Sequence, residues 1–152
     1  MKEEVMSGFE KFCWYEVSGA QFPTGRPRDE RFLNLGLLLT SDIHADGAIA
    51  LEALQLVELA REGKDDLEEW LGNATSAYFR PDGVEITDLG PDPQTQHYSL
   101  DEVHASLIHY WKFICPSTEE RRAALQEWAR RYTMEYPETP DPQHPCLAHL
   151  PM

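Results

Sequence analysis

ERFLNLGLLLTSDIHADGAIALEALQLVELARE, residues Glu30–Glu62, is the stretch on which the fold turns. It carries no Lys or Arg between Phe32 and Ala60. In its first half Phe32, Leu35, Leu38 and Leu39 recur at helical spacing, so one face can be buried. Acids at Asp29 and Glu30 suit the positive end of a helix dipole. Gly36 costs about 1 kcal/mol relative to Ala, which is tolerable where another element packs close. Ser41–Gly47 reads as a break, with Asp46 capping the next helix. The second half sets Ile49, Ala53, Leu56, Val57 and Ala60 on one stripe and Glu52, Gln55, Glu58 and Glu62 on another, and Gly63 stops it. Two helices in an antiparallel hairpin are expected, supplying the core and part of an acidic face.

Working outward toward the N-terminus, Lys11–Ser18 (KFCWYEVS) is aromatic and β-branched and reads as a strand. Ser18-Gly19 ends it. Pro23, Gly25 and Pro27 then predict a loop. The start of the chain, MKEEVMSGFEKF, is charged and is not expected to be an export signal.

Toward the C-terminus, Lys64–Glu69 is a charged link, followed by a turn at Trp70–Asn73 anchored by a buried Trp. Ala74–Arg80 and Val84–Leu89 read as strands joined by the Pro81-Asp82-Gly83 turn signal. Val84 and Ile86 should face inward, and Glu85 and Thr87 outward. Gly90–Gln96 is expected to be a loop. Ser99 and Glu102 form a capping box before a helix with Leu100, Val103, Leu107, Trp111 and Ile114 on one stripe. Pro116 ends that helix. Ser117 and Glu120 open the last helix, which carries Leu125, Trp128, Ala129 and Tyr132. Five of the eleven prolines lie at or beyond Pro137, so residues 137–152 are expected to be an irregular tail after one domain, 1–136. The predicted order is βααββαα. It implies an α+β fold with one three-stranded antiparallel sheet and helices packed on one face.

The chain has 152 residues and is 41% hydrophobic, enough for one domain with a real core. No apolar run reaches the roughly 18 residues of a membrane span. Cys13, Cys115 and Cys146 are odd in number and widely spaced, which predicts reduced thiols in a cytoplasmic protein. The net charge of −14 is unevenly placed: residues 32–111 carry −12, while residues 1–31 and 112–152 carry −1 each. A field of this sign repels nucleic acid and anionic membrane and attracts basic partners. Acidity also serves solubility.

Catalytic signatures are missing. There is no Gly-rich phosphate loop and no nucleophile elbow. Asp42-x-His44-x-Asp46 is the nearest approach to a metal cluster, but between helices its acids are better read as caps. His104 and His109 lie five apart, roughly 140° around a helix axis, and do not share a metal readily. No enzyme activity, metal or cofactor is expected. Trp14, Trp70, Trp111 and Trp128 are each predicted to face the core. Trp70, beside four acids, is also a candidate interface anchor.

Ser18-Gly19, Gly25-Arg26-Pro27, Asp29, Phe32, Ser41-Asp42-Ile43, Asp46, Trp70, Gly72-Asn73, Val84 and Ile86 form a scattered set. As a set they resemble small acidic bacterial immunity proteins of contact-dependent growth inhibition and related polymorphic-toxin systems, over about residues 11–115. The resemblance implies a cytoplasmic protein that binds and blocks the C-terminal domain of one cognate toxin, often a basic nuclease. It implies shape-determining roles for Gly25, Pro27, Gly72 and Asn73.

Charge and resemblance together point to partner-binding residues in three groups. They are Glu52, Glu58 and Glu62 on the second helix, Asp65, Asp66, Glu68, Glu69 and Trp70 in the link, and Glu85, Asp88 and Asp92 around the hairpin. The competing expectations are an acidic nucleic-acid mimic, a housekeeping binding protein, and a small enzyme or metal protein.

Overall fold

In the computed structural model residues 5–152 are described. The first part of the charged N-terminal segment, residues 1–4, lies outside the described residues. The chain folds as α+β with antiparallel sheets, but its strands form two sheets rather than one of three strands. A two-stranded ribbon pairs β1 (Phe9–Val17) with β2 (Ala20–Pro27). A separate sheet has the order β3 (Trp70–Leu71), β4 (Thr75–Arg80), β5 (Gly83–Asp88), β6 (Thr95–Tyr98). The element order is therefore ββααββββαα.

The expected loop after Ser18 is strand β2. Ser18 and Gly19 have φ of 53° and 83°, the pair of positive angles that a tight two-residue hairpin turn needs. Pro23 and Pro27 are tolerated because both strands of a two-stranded ribbon are edges, with no further strand asking for the missing N–H. Likewise Gly90–Gln96 is not wholly a loop. Its end belongs to β6, which pairs with β5 from Thr87↔Thr95 to Val84↔Tyr98.

The segment Glu30–Ile43 is helical with a changing pitch. A 3-10 turn at Glu30–Phe32 leads into α1 (Leu33–Leu37) and then a wider π turn at Leu38–Ile43. The π turn closes where the His44 amide donates to the Leu39 carbonyl at 2.9 Å. This pitch brings Leu35, Leu38, Leu39 and Ile43 inward, all nearly inaccessible. His44, at φ 57°, breaks the run. Asp46 then caps α2 (Gly47–Arg61) by accepting from the amides of Ala48 and Ile49. α2 is buried along Leu51, Leu54, Val57 and Ala60 and lies against α3 (Leu100–Ile114) and α4 (Thr118–Glu135). The capping box at Ser99 and Glu102 is present.

The sheet's inner face offers Thr75, Ala77, Phe79, Val84, Ile86 and Tyr98 to this core. Its outer face carries Tyr78, Glu85, Thr87 and His97, as alternation requires. Asn34 ties the helical layer to the sheet: its amide side chain donates to the Ile86 and Gln94 carbonyls. The ribbon lays Phe12 against His109, Tyr110 and Phe113 of α3. Trp14 stacks on Phe113 but stays 37% exposed, which corrects the expectation that it faces the core. Trp111 and Trp128 are buried, and Trp70 is half-buried in β3 rather than in a turn.

Beyond Tyr136 the tail is irregular apart from a 3-10 turn at Leu147–His149, yet it is packed. Cys146 and Leu150 enter the core. The buried His144 accepts at Nδ1 from the Cys146 amide (3.1 Å), so its Nε2–H is free to donate to the Leu51 carbonyl (2.7 Å).

Candidate functional site

α2, the segment 64–72 and α4 enclose a groove of about 790 Å³. Each wall follows from its sequence. α2 turns its buried stripe to the core and leaves Glu52 and Gln55 on the groove side, above half-buried Ile49 and Leu56. The link contributes Asp66, Leu67, Glu68, Glu69 and Trp70. Trp70 is placed by β3, where it pairs with Ala77 of β4.

α4 contributes Trp128, Tyr132 and Glu135, and its C-cap residue, Tyr136, joins them. The three aromatics are four residues apart and therefore lie on one helix face. Their ring centroids are separated by 5.3 Å and 4.8 Å. Exposure grades from 4% at Trp128 to 42% at Tyr136, so the stripe runs from core to solvent.

The end of the groove at Gly72 is fixed by Asp42. Its carboxylate accepts from the Ala74 amide (2.8 Å), the Thr75 amide (3.1 Å) and the Thr75 hydroxyl (2.5 Å). A Cβ at Gly72 would be driven into that carboxylate, which explains why the position needs glycine. Asp42 is thus a clamp between the π turn and β4. With Asp46 acting as a cap, the Asp42-x-His44-x-Asp46 run has structural work for both acids. Among the described residues no cluster of three His, Cys, Asp or Glu side chains could hold a metal ion.

The groove's electrostatics are one-sided. Six carboxylates line it, those of Asp42, Glu52, Asp66, Glu68, Glu69 and Glu135, against Lys64 and Arg131. Arg131 is already committed to Asp46 (3.0 Å) and Glu127 (2.9 Å). Glu52, Asp66, Glu68, Glu69 and Glu135 make no ion pair with any described residue. Glu52 stays accessible, but the surrounding protein desolvates it, and the like charge of Glu135 adds to this. Its carboxyl is held above the ordinary carboxylate range. A groove in this state has negative charge, exposed aromatic surface and too few cations of its own.

The structure brings together five of the eleven residues picked from sequence: Glu52, Asp66, Glu68, Glu69 and Trp70. The other six lie outside the groove lining. Glu58 pairs with Arg61 at 3.5 Å, and Glu62 is the exposed C-cap of α2. Asp65 is exposed on the link. Glu85 sits on the sheet's outer face with Arg80 at 3.4 Å and His97 at 3.8 Å. Asp88 accepts from the Gly90 and Gln94 amides, folding the β5–β6 connection on which exposed Asp92 lies. Sequence reasoning missed Tyr132, Glu135 and Tyr136 as groove residues. The signal was the Trp128–Tyr132–Tyr136 spacing, which reads equally well as a core stripe.

A smaller hollow of about 580 Å³ lies at the start of α2, among His44, Gly47, Cys115, Glu120 and Ala124. Its floor is consumed by packing: a Cβ at Gly47 would come within 2.7 Å of the Cys115 sulfur and 2.9 Å of Ala124. No helix among the described residues is long and apolar enough to cross a membrane. No protein-family model matches the chain, and neither a curated protein nor a solved structure does. What the groove can do is therefore read from its own residues.

Proposed function

We propose that this is a cytoplasmic immunity protein that binds and neutralises a cognate basic, nuclease-like bacterial toxin domain, with the acidic groove as part of its docking surface. The observation that carries the reading is the convergence of five carboxylates without cation partners on a groove walled by Trp70, Tyr132 and Tyr136. Unpaired carboxylates supply steering and long-range attraction. Large aromatic side chains supply the contact energy that concentrates in a few interface residues. Fast capture suits an inhibitor whose target is lethal while free.

A nucleic-acid mimic needs carboxylates in exposed rows at phosphate-like spacing. Here they surround an apolar floor, which favours a protein partner. The resemblance in the scattered motifs supports the same reading.

The test is co-expression with the C-terminal toxin domain encoded directly upstream. The expected result is a stable complex, survival of the host, and an association rate that falls as salt rises. A toxin domain that neither binds nor is neutralised, or a gene with no toxin beside it, would overturn the proposal.

A further inference from the structure

We infer that the groove takes an amphipathic, cationic helix of the partner, apolar side chains inward and lysines or arginines on its flanks; this rests on the reading of a basic partner above. Three observations support this mode over simple charge attraction. First, the floor is apolar: Ile49, Leu56 and Leu67 are half-buried and belong to the partly covered margin of the core. A purely ionic partner would leave that surface uncovered.

Second, half-buried Tyr132 and exposed Tyr136 carry the buried Trp128 stripe out along α4, four residues or about 6 Å at helical rise, roughly one turn of a docked helix. Third, the free carboxylates come from all three walls: Glu52 from α2, Glu68 and Glu69 from the link, Glu135 from α4. An apolar strip with carboxylates in excess on each wall complements a helix with an apolar stripe flanked by bases, the helix-in-groove mode of recognition. The volume of about 790 Å³ lies in the range that buries several side chains at once.

Three synthetic peptides of equal length test this by calorimetry at moderate salt. One is an amphipathic Lys/Leu helix, one a Lys/Ser peptide of the same charge, and one a Glu/Leu helix. The Lys/Leu helix should bind at least about tenfold more tightly than the Lys/Ser peptide, and the Glu/Leu helix should not bind. The double variant Glu52→Gln/Glu135→Gln should weaken the Lys/Leu helix roughly tenfold, whereas Glu85→Gln/Asp92→Asn, with the same charge loss elsewhere, should change it less than about twofold. Tyr132→Ser should weaken it as well, with circular dichroism confirming the fold.

Equal affinity for Lys/Leu and Lys/Ser peptides, or equal effects of the two double variants, would overturn the helix-in-groove mode. So would self-association that is lost in Tyr132→Ser, since a second copy would then be the occupant. If the toxin domain binds while these peptides do not, only the docking mode fails. If neither binds, the basic-partner reading fails too.

Discussion

Carboxylates of the four-stranded sheet and carboxylates of the groove differ in what holds them. On the sheet side several have an assigned partner within the fold. Asp42 clamps three donors at the head of β4, and Asp88 folds the β5–β6 connection. Glu85 faces Arg80, and Glu102 accepts from Arg31 and the Ser99 amide. In the groove Glu52, Glu68, Glu69 and Glu135 make no ion pair among the described residues. Instead they line the groove beside aromatic surface, with the like charge of Glu135 acting on Glu52. Acidic residues on one side build the molecule. On the other, Glu52 is desolvated and repelled, and under the proposed function it serves a partner's cation. Groups that oppose folding persist where function needs them.

Substitutions can break this contrast or sharpen it. The largest effect is expected at Asp42. Asp42→Ala strands two buried or half-buried amides and the buried Thr75 hydroxyl, and should cost about 3 kcal/mol in urea denaturation. A loss below about 0.5 kcal/mol would show that the sheet-side carboxylates are no better tied than the groove's.

His144 is the tied group of the tail. Both ring nitrogens are engaged as a neutral imidazole, and His144→Ala should cost about 2 kcal/mol. Burial holds its pKa below the ordinary value, and the same direction applies to His104 and His109. The unfolded chain then takes up protons first as pH falls. The contribution of these histidines to stability should be level above about pH 6.5, the unfolded value, and decline below it. His144→Gln should flatten part of that decline, measured by melting temperature between neutral and mildly acidic pH.

Glu102→Ala removes one half of a capping box and the Arg31 contact, with an expected loss of about 1 kcal/mol. The smallest effect belongs to the groove. Glu52→Gln should be neutral or stabilising by a few tenths of a kcal/mol at neutral pH, because it removes a desolvated, repelled charge that remains solvent-screened. A clear destabilisation would mean that Glu52 is a structural carboxylate like Asp42.

The α+β class, α2, the β4–β5 hairpin and both C-terminal helices were legible in the sequence, because period, caps and turn residues agree there. The two-sheet arrangement was not. Pro23 and Pro27 carry the same signal whether they break a strand or sit on an open ribbon edge, and only the Ser18-Gly19 turn favoured the ribbon. β6 was hidden because its inward positions are Gln96 and Tyr98. Gln96 faces inward to accept from the Asn34 amide and the Tyr98 hydroxyl, so no apolar alternation marks the strand.

At the site, charge density located the link and Glu52 but said nothing of pairing. Glu58 and Glu68 look alike in sequence. One is beside Arg61 and the other is free because of the helix face it occupies or the link it lies on. The part played by α4 was concealed by aromatic spacing that serves core and groove together.

The most direct measurement is the association rate with the proposed partner, a cognate basic toxin domain, across a range of salt concentrations, for two variants of equal charge. If the groove is the docking face, Glu52→Gln/Glu68→Gln/Glu135→Gln slows capture by about an order of magnitude and flattens its salt dependence, while Glu85→Gln/Asp88→Asn/Asp92→Asn leaves both nearly unchanged. Equal losses in the two variants, or a larger loss from the sheet-side one, would contradict it.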